Sequence, residues 1–482
     1  MYRYDPCKPP PIADASRCCG SAVEGRVERH HAMRFFETIG NAIVIAYDDA
    51  PILTTDPWTD GDAYFGSWGH DYEIPPAQLQ AIKDAKYHWF SHGHPDHLNI
   101  HSLPLLTKGE LLVSDHYGAR IQRDLAAAGY SVRVLPDREW IQLSKGIKVY
   151  SVANQNQDSM LLIDVNGRLI INLNDSSDYG ESFRVRRIAK HCKEVYMLQL
   201  HGWGGADMLN LFDPSGRKLT STEEKRRPIA PRSQRNAITM GANKIIPFSS
   251  FQRYQREDSA WANELIPEIT EYQKHAIANA PEILPAFVRV DCETDDITPI
   301  NPPRAAPVVY KPEEFGDSWS DPLTAEDKIA LRRYFSARET LYDHFGFIEI
   351  SAGGSSVTVD LNRDKRNVGI SFECPRHSLM TSVEQELFDD LLIGNFMRTT
   401  LHNVEGLYPY FTPYVAKYAD NGGAKTRRQL GAYFGHYYMR DPIAHTLKHF
   451  STASETVLRR TLPEDSRMFR AAKRLYYDFM AR

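Results

Sequence analysis

The run His92-Gly93-His94-Pro95-Asp96-His97 packs four potential metal ligands into six residues, directly after the apolar-aromatic segment Tyr87 to Phe90. Imidazole and carboxylate groups are ligands for zinc, iron and manganese. Side chains two apart on an extended segment share a face, so His92 and His94 can both meet one ion. Asp96 and His97 follow on a turn and can face a second. A two-metal site needs further ligands from distant sequence, and two later strand ends offer them. Asp175 ends the run Leu169 to Asn174, where it is placed to bridge, and His201 ends the run Val195 to Leu200. A histidine-rich surface loop is the plainer reading of the run alone, but it leaves these two strand-end residues unexplained. The expectation is a metal-dependent enzyme holding one or two divalent ions of zinc, iron or manganese.

The elements that must position these residues are legible from periodicity and turn signals. Strands are expected over Ala42 to Tyr47 and Pro51 to Thr54, forming a hairpin, and over about Tyr87 to Ser91. Helices are expected over about Pro76 to Asp84, Ala119 to Ala128 and Phe183 to Cys192. Three strand-like runs fill Ile147 to Asp175, the last two joined by the hairpin signal Asn166-Gly167. Ile245 to Phe248 is a short late strand. The pattern divides the chain into an N-terminal arm (1–25), a metal-binding domain (26–265), a proline-rich connection or cap (266–325) and a mixed α+β C-terminal domain (326–482). In that last part Phe347 to Ala352, Ser356 to Leu361 and Asn367 to Phe372 read as strands, and 380–410 as a helix.

The 482 residues suffice for two or three domains, and 42% apolar with 25% charged residues is ordinary for a globular protein. A net charge of -5 gives no electrostatic case for nucleic acid or an anionic membrane. No apolar run approaches the ~18 residues of a membrane span. The six cysteines, Cys18 and Cys19 adjacent and the other four scattered, include no Cys-x-x-Cys or Cys-x-His pair, which argues against an internal iron–sulfur cluster and makes a reducing cytoplasm the expected home. The oligomeric state is left open.

The HGHPDH run, followed by a strand-end aspartate and a strand-end histidine, resembles the metallo-beta-lactamase superfamily. That resemblance implies an α/β fold, an αββα sandwich with its metal site along one edge. By it, His92 and His94 serve metal one, Asp96, His97 and His201 serve metal two, and Asp175 bridges. The superfamily usually adds a histidine to metal one from the loop before the strand that ends in the bridging aspartate. Here that loop runs from Asn154 to Ser159 without a histidine. Asn154 is the positional match, a weaker ligand than imidazole, with Asp158 or the substrate available to complete the shell. A narrower resemblance is to the CMP-N-acetylneuraminate hydroxylase family. It rests on Asp56 to Gly61, Phe65 to Trp68, His92 to Leu98, Gly204 to Ala206, Pro247-Phe248 and Leu387 to Gly394. Members of that family carry a Rieske domain, of which this sequence shows no sign.

Three readings follow. In a hydrolase, a metal-activated water would attack a phosphoester or lactone of a polar metabolite, with Asp96 and Asp175 at the metal and His116 or Asp158 shuttling protons. In a non-haem iron oxygenase acting on a polar or nucleotide-linked substrate, an external ferredoxin or reductase would supply electrons. The third reading is a binding protein with a degenerate site. Smaller expectations attach to other residues. Asp56 could orient a metal-binding histidine, Trp58, Trp68 and Trp203 could stack on a substrate ring, and Lys244 and Arg253 could hold a phosphate.

Overall fold

The computed structural model describes residues 33–202, 209–219, 229–442 and 446. The N-terminal arm and Trp203 lie outside them. Two sheets face each other. The first has eight strands, with the central order Arg34–Ile39, Ile43–Asp48, Ala50–Thr55, Tyr87–Phe90, Glu110–Ser114, Val132–Leu135. The second has seven, including Ile147–Ala153, Ser159–Val165, Arg168–Asn174, Glu194–Leu200 and Lys244–Phe248. The alternation of side chains dictates this sandwich. Val44 and Ala46 of the first sheet meet Leu161, Ile163 and Leu198 of the second in a shared core. Their neighbours Ile43 and Ile45 point the other way, onto Ile82 and Leu125 of helices Pro76–Asp84 and Arg120–Ala127. Met160, Leu162 and Met197 likewise pack against Val185 of helix Ser182–Ala189 and Ala237 of helix Ala230–Met240. With both faces of each sheet covered, the strands are almost wholly apolar, and the architecture is the metallo-beta-lactamase-like αββα sandwich.

The expected hairpins form. Ile43–Asp48 pairs antiparallel with Ala50–Thr55. Asn166 and Gly167 turn with φ of 51° and 84°, the left-handed pair that a tight two-residue hairpin requires. Two expectations need correction. The proline-rich span 266–325 is more than a connection. Glu282–Ile283 joins the second sheet, and Val288–Asp291 and Ile297–Pro299 extend the first beyond Arg34–Ile39. Leu284, Val288 and Val290 complete the inter-sheet core. The span 380–410 is not one helix. Helix Arg376–Gln385 stops at Glu386, whose φ is 56°, helix Phe388–Ile393 stops before Asn395, with φ 58°, and Arg398–His402 is a strand. That strand joins Phe347–Ala352, Ser355–Asp360, Gly369–Glu373 and Leu211–Phe212 in a five-stranded C-terminal sheet. No helix among the described residues is long and apolar enough to cross a membrane.

Two histidines belong to the packing alone. His88 bonds Thr54 Oγ1 through Nδ1 at 2.7 Å, and His70 packs on Trp58 with ring centroids 4.1 Å apart. Burial pushes both imidazoles down to about 4. A folded-state pKa below the unfolded value of 6.5 makes their contribution complete above pH 6.5 and lost as pH falls towards 4. Each is expected to cost roughly 1.4 kcal/mol per pH unit within that window. Urea midpoints of chelator-treated wild type, His70→Gln and His88→Gln between pH 7 and 4.5 check this; equal pH slopes in wild type and variants would contradict it.

Candidate metal centre

The centre sits where the carboxyl ends of parallel strands from both sheets meet, the usual place for a site in a sheet of this kind. Strand Tyr87–Phe90 delivers the histidine run. Its first residue after the strand, Ser91, is fixed by Asp56, which accepts from the Ser91 backbone N–H at 2.7 Å and from its hydroxyl at 3.0 Å. The turn is closed by His97 N–H and Leu98 N–H donating to the His94 carbonyl at 3.0 and 2.8 Å. Asn99 donates to the Pro95 carbonyl at 2.8 Å. Asp175 follows strand Arg168–Asn174, whose end bulges at Asn174, with φ 52°.

Among the described residues, His92, His97 and Asp175 each bring one ligand atom within 4.8 Å of the others. His97 Nε2 lies 3.1 Å from Asp96 Oδ2 and 3.4 Å from Asp175 Oδ2. It is buried and makes no hydrogen bond. His92 Nε2 and His94 Nδ1 face each other at 2.8 Å. Two lone pairs so close must share a proton or flank a cation. Asp96 is held by Tyr64, whose hydroxyl donates at 2.6 Å, and by the Asn41 amide at 2.9 Å. His97 Nδ1 faces the Asn174 amide at 3.1 Å and Asp56 Oδ2 at 3.5 Å, the orienting contact expected of Asp56.

The electrostatics suit a cation. Burial, with the neighbouring His97, His94 and Lys417, holds His92 well below the usual imidazole range, so it is neutral and free to ligate. Burial also opposes a charged His97, but Asp96 and Asp175 outweigh it and raise its pKa well above the usual range. A divalent ion would satisfy the same carboxylates that this proton satisfies. The donor set of imidazole nitrogens and carboxylate oxygens fits zinc, iron or manganese. The cluster is a candidate site for a divalent metal ion.

Not every expected residue joins it. Asn154 spends its side chain on hydrogen bonds, donating to Ser176 Oγ beside Asp175 at 2.9 Å and accepting from Asn156 N–H of its own loop at 2.8 Å. His201 points elsewhere. Its Nδ1 meets the Ser249 carbonyl at 2.6 Å, its ring stacks on Phe251 at 4.3 Å, and burial pushes it down to about 4. It lines a separate cavity of about 250 Å³ with Asp71 and Arg304. His116 is locked between Ser159 Oγ at 2.8 Å and Tyr437 OH at 3.1 Å, and burial pushes it down to about 3. Asp158 does reach the centre's cavity, a space of about 440 Å³ also lined by Tyr64, Trp68, Asp175 and Tyr408. Trp58 is buried in the core, Arg253 pairs with Asp71 at 2.9 Å, and Lys244 pairs with Glu194.

Residues absent from the sequence-based site come from the C-terminal region. Asp389 Oδ2 lies 2.9 Å from His94 Nε2 and 3.1 Å from Lys417 Nζ. Burial would raise the Asp389 pKa, but Lys417 and His94 outweigh it and hold the carboxyl below its usual range. Beside it, burial and the charges of Asp389 and Asp96 push Asp390 up to about 7. The signal was visible as two adjacent aspartates inside the apolar run Leu387 to Ile393, and as one lysine inside Tyr414 to Ala419. Acids and lysines are rarely buried unless paired.

No family model matches the chain. Over 137 residues it is 26% identical to the cytidine monophosphate-N-acetylneuraminic acid hydroxylase of Asterias rubens, a match covering 26% of this chain and 21% of that protein. Among solved structures it is similar to CmlA, a diiron beta-hydroxylase from Streptomyces venezuelae, with a TM-score of 0.36, 14% identity and 54% of each chain covered. It is also similar to the metallo-beta-lactamase fold protein YhfI from Bacillus subtilis, with a TM-score of 0.29, 12% identity, and 52% of this chain and 96% of that one covered.

Proposed function

We propose that the centre binds iron and that the chain is a non-haem iron oxygenase, hydroxylating a polar, nucleotide-linked small molecule with electrons from a separate ferredoxin or reductase. The observation that carries this reading is the donor balance. His92, His97 and Asp175 converge, while the position expected to carry a further histidine holds Asn154 and His201 bonds elsewhere. With His94 turned toward His92 and Asp96 toward His97, the donor set mixes imidazole with carboxylate, ligation that iron accepts. The partial likeness to a hydroxylase of a nucleotide-linked sugar supports the same reading. Bound iron would supply dioxygen activation. The chain's own residues would do the rest. Tyr64 and Asn41 fix Asp96. The indole of Trp68 offers a stacking wall, and Asp158 and Tyr408 offer polar contacts in a cavity of small-molecule size.

A hydrolase is the second reading, favoured by one feature. The donors form two groups, His92 with His94 and Asp96 with His97, and Asp175 lies within reach of His97. Zinc or manganese there would activate water against a phosphoester or lactone. Metal analysis and an oxygen electrode separate the two. Protein purified without added metal is expected to carry iron and, with a chemical reductant, to consume oxygen in response to a member of a nucleotide-sugar panel. Zinc or manganese content, with turnover of bis(p-nitrophenyl) phosphate or a lactone in the absence of oxygen, would overturn the oxygenase.

A further inference from the structure

We infer that Asp389 and Lys417 form a positioning pair for the metal centre: Asp389 anchors His94 through Nε2, leaving Nδ1 as the ligating atom, and Lys417 holds Asp389 in place. This rests on the centre binding a metal, whichever metal that is. Asp389 stands on helix Phe388–Ile393 and Lys417 on the π-helical segment Pro413–Asn421, a conformation frequent at functional sites. Both side chains are buried. His94 Nε2–H donates to Asp389 Oδ2 at 2.9 Å, and Lys417 Nζ reaches the same oxygen at 3.1 Å. The opposite nitrogen of His94 then faces His92 Nε2 at 2.8 Å. A histidine has two nitrogens, and the hydrogen bond made by one decides which is left to bind a metal.

The contact is braced from outside. Arg120, on the helix that follows the motif, donates to the carbonyls of Glu386 at 2.8 Å and Asp420 at 3.1 Å and to Asn421 Oδ1 at 3.2 Å. These three residues flank Asp389 and Lys417 in sequence. The brace holds the carboxylate against a histidine that lies 295 residues earlier in the chain. Asp389 Oδ1 is buried without a hydrogen-bond partner, so the carboxylate's contacts are concentrated on the oxygen that serves His94 and Lys417. A side chain kept only to staple two regions together would gain by satisfying both oxygens.

The test is metal titration of the full chain with cobalt(II) as the probe, in wild type, Asp389→Asn and Asp389→Ala, with long-range ¹H–¹⁵N spectra of histidine-labelled, zinc-loaded wild type. Wild type is expected to bind cobalt and to show His94 ligated through Nδ1 with a proton on Nε2. Asp389→Asn is expected to bind cobalt about 10–100-fold more weakly, with altered visible absorption bands, and to melt at a lower temperature without metal, because Lys417 is left buried without its carboxylate. Wild-type affinity and an unchanged cobalt spectrum in a folded Asp389→Asn would overturn the pair's role. So would a His94 ligated through Nε2 in the wild-type spectrum, which needs no variant to fold. A wild type that binds no metal would overturn the metal reading itself and is distinguished from both.

Discussion

Replacing His97 with alanine is expected to empty the centre, while replacing Asn154 or His201 leaves it filled. His97 Nε2 is placed against two carboxylates of the centre, 3.1 Å from Asp96 Oδ2 and 3.4 Å from Asp175 Oδ2. Without the ring, those two acids lose both the nitrogen donor and the group that sets their spacing. Loss of an outer partner of a metal ligand already costs 10–100-fold in affinity, so loss of a ligand is expected to cost more than ~100-fold and to abolish turnover. His201→Ala removes a ring that bonds the Ser249 carbonyl and stacks on Phe251, and Asn154→Ala removes a hydrogen bond to Ser176 Oγ. Both are expected to retain wild-type metal after dialysis against a weak chelator, measured by plasma mass spectrometry. Loss of metal in His201→Ala to the level of His97→Ala would show that its imidazole turns into the centre.

The contrast between His97 and His201 marks where sequence reasoning stops. An apolar run that ends in an aspartate or histidine fixes the place of that residue at a sheet edge. The direction of its side chain depends on the neighbouring strand end, here the Ser249 carbonyl, which captures His201. The motif itself was legible because its six residues are contiguous and follow a strand. Asp56 was legible too, as a residue before Pro57 in a short loop beside the motif. The strand Val288–Asp291 was obscured because prolines around it hid the alternation of Val288 and Val290, both of which are buried between the sheets. Asp389 and Lys417 lie too far along the chain for spacing to relate them to His94. Only their charge within apolar runs betrayed them, and charge in such a run says that a partner exists without naming it.

Arg256→Ala is expected to destabilise the chain by about 3–5 kcal/mol, the cost of breaking a buried ion pair by removing one partner. The Arg256 guanidinium is fully buried. It pairs with Asp317 at 2.7 Å and Asp258 at 2.9 Å, donates to the Phe65 carbonyl at 3.0 Å, and lies 4.0 Å from the Phe396 ring centroid. Asp317 in turn accepts from Ser378 N–H at 2.9 Å and Ser378 Oγ at 2.5 Å. One cation therefore joins the loop that carries Tyr64, the residue that fixes Asp96, to the helix Arg376–Gln385 of the C-terminal region. Alanine would leave Asp317 buried without its cation and open a void beside Phe396. Urea unfolding of the metal-free protein reads the loss, and a change below about 1 kcal/mol would contradict it, since that is what an exposed pair yields. The double variant Arg256→Met with Asp317→Asn removes both charges and is expected to regain part of the loss. Because the Phe65 carbonyl is next to Tyr64 in the chain, Arg256→Ala is also expected to weaken metal binding. In the double variant, stability recovering further than metal affinity would locate that second effect in the Phe65 contact, which methionine cannot make.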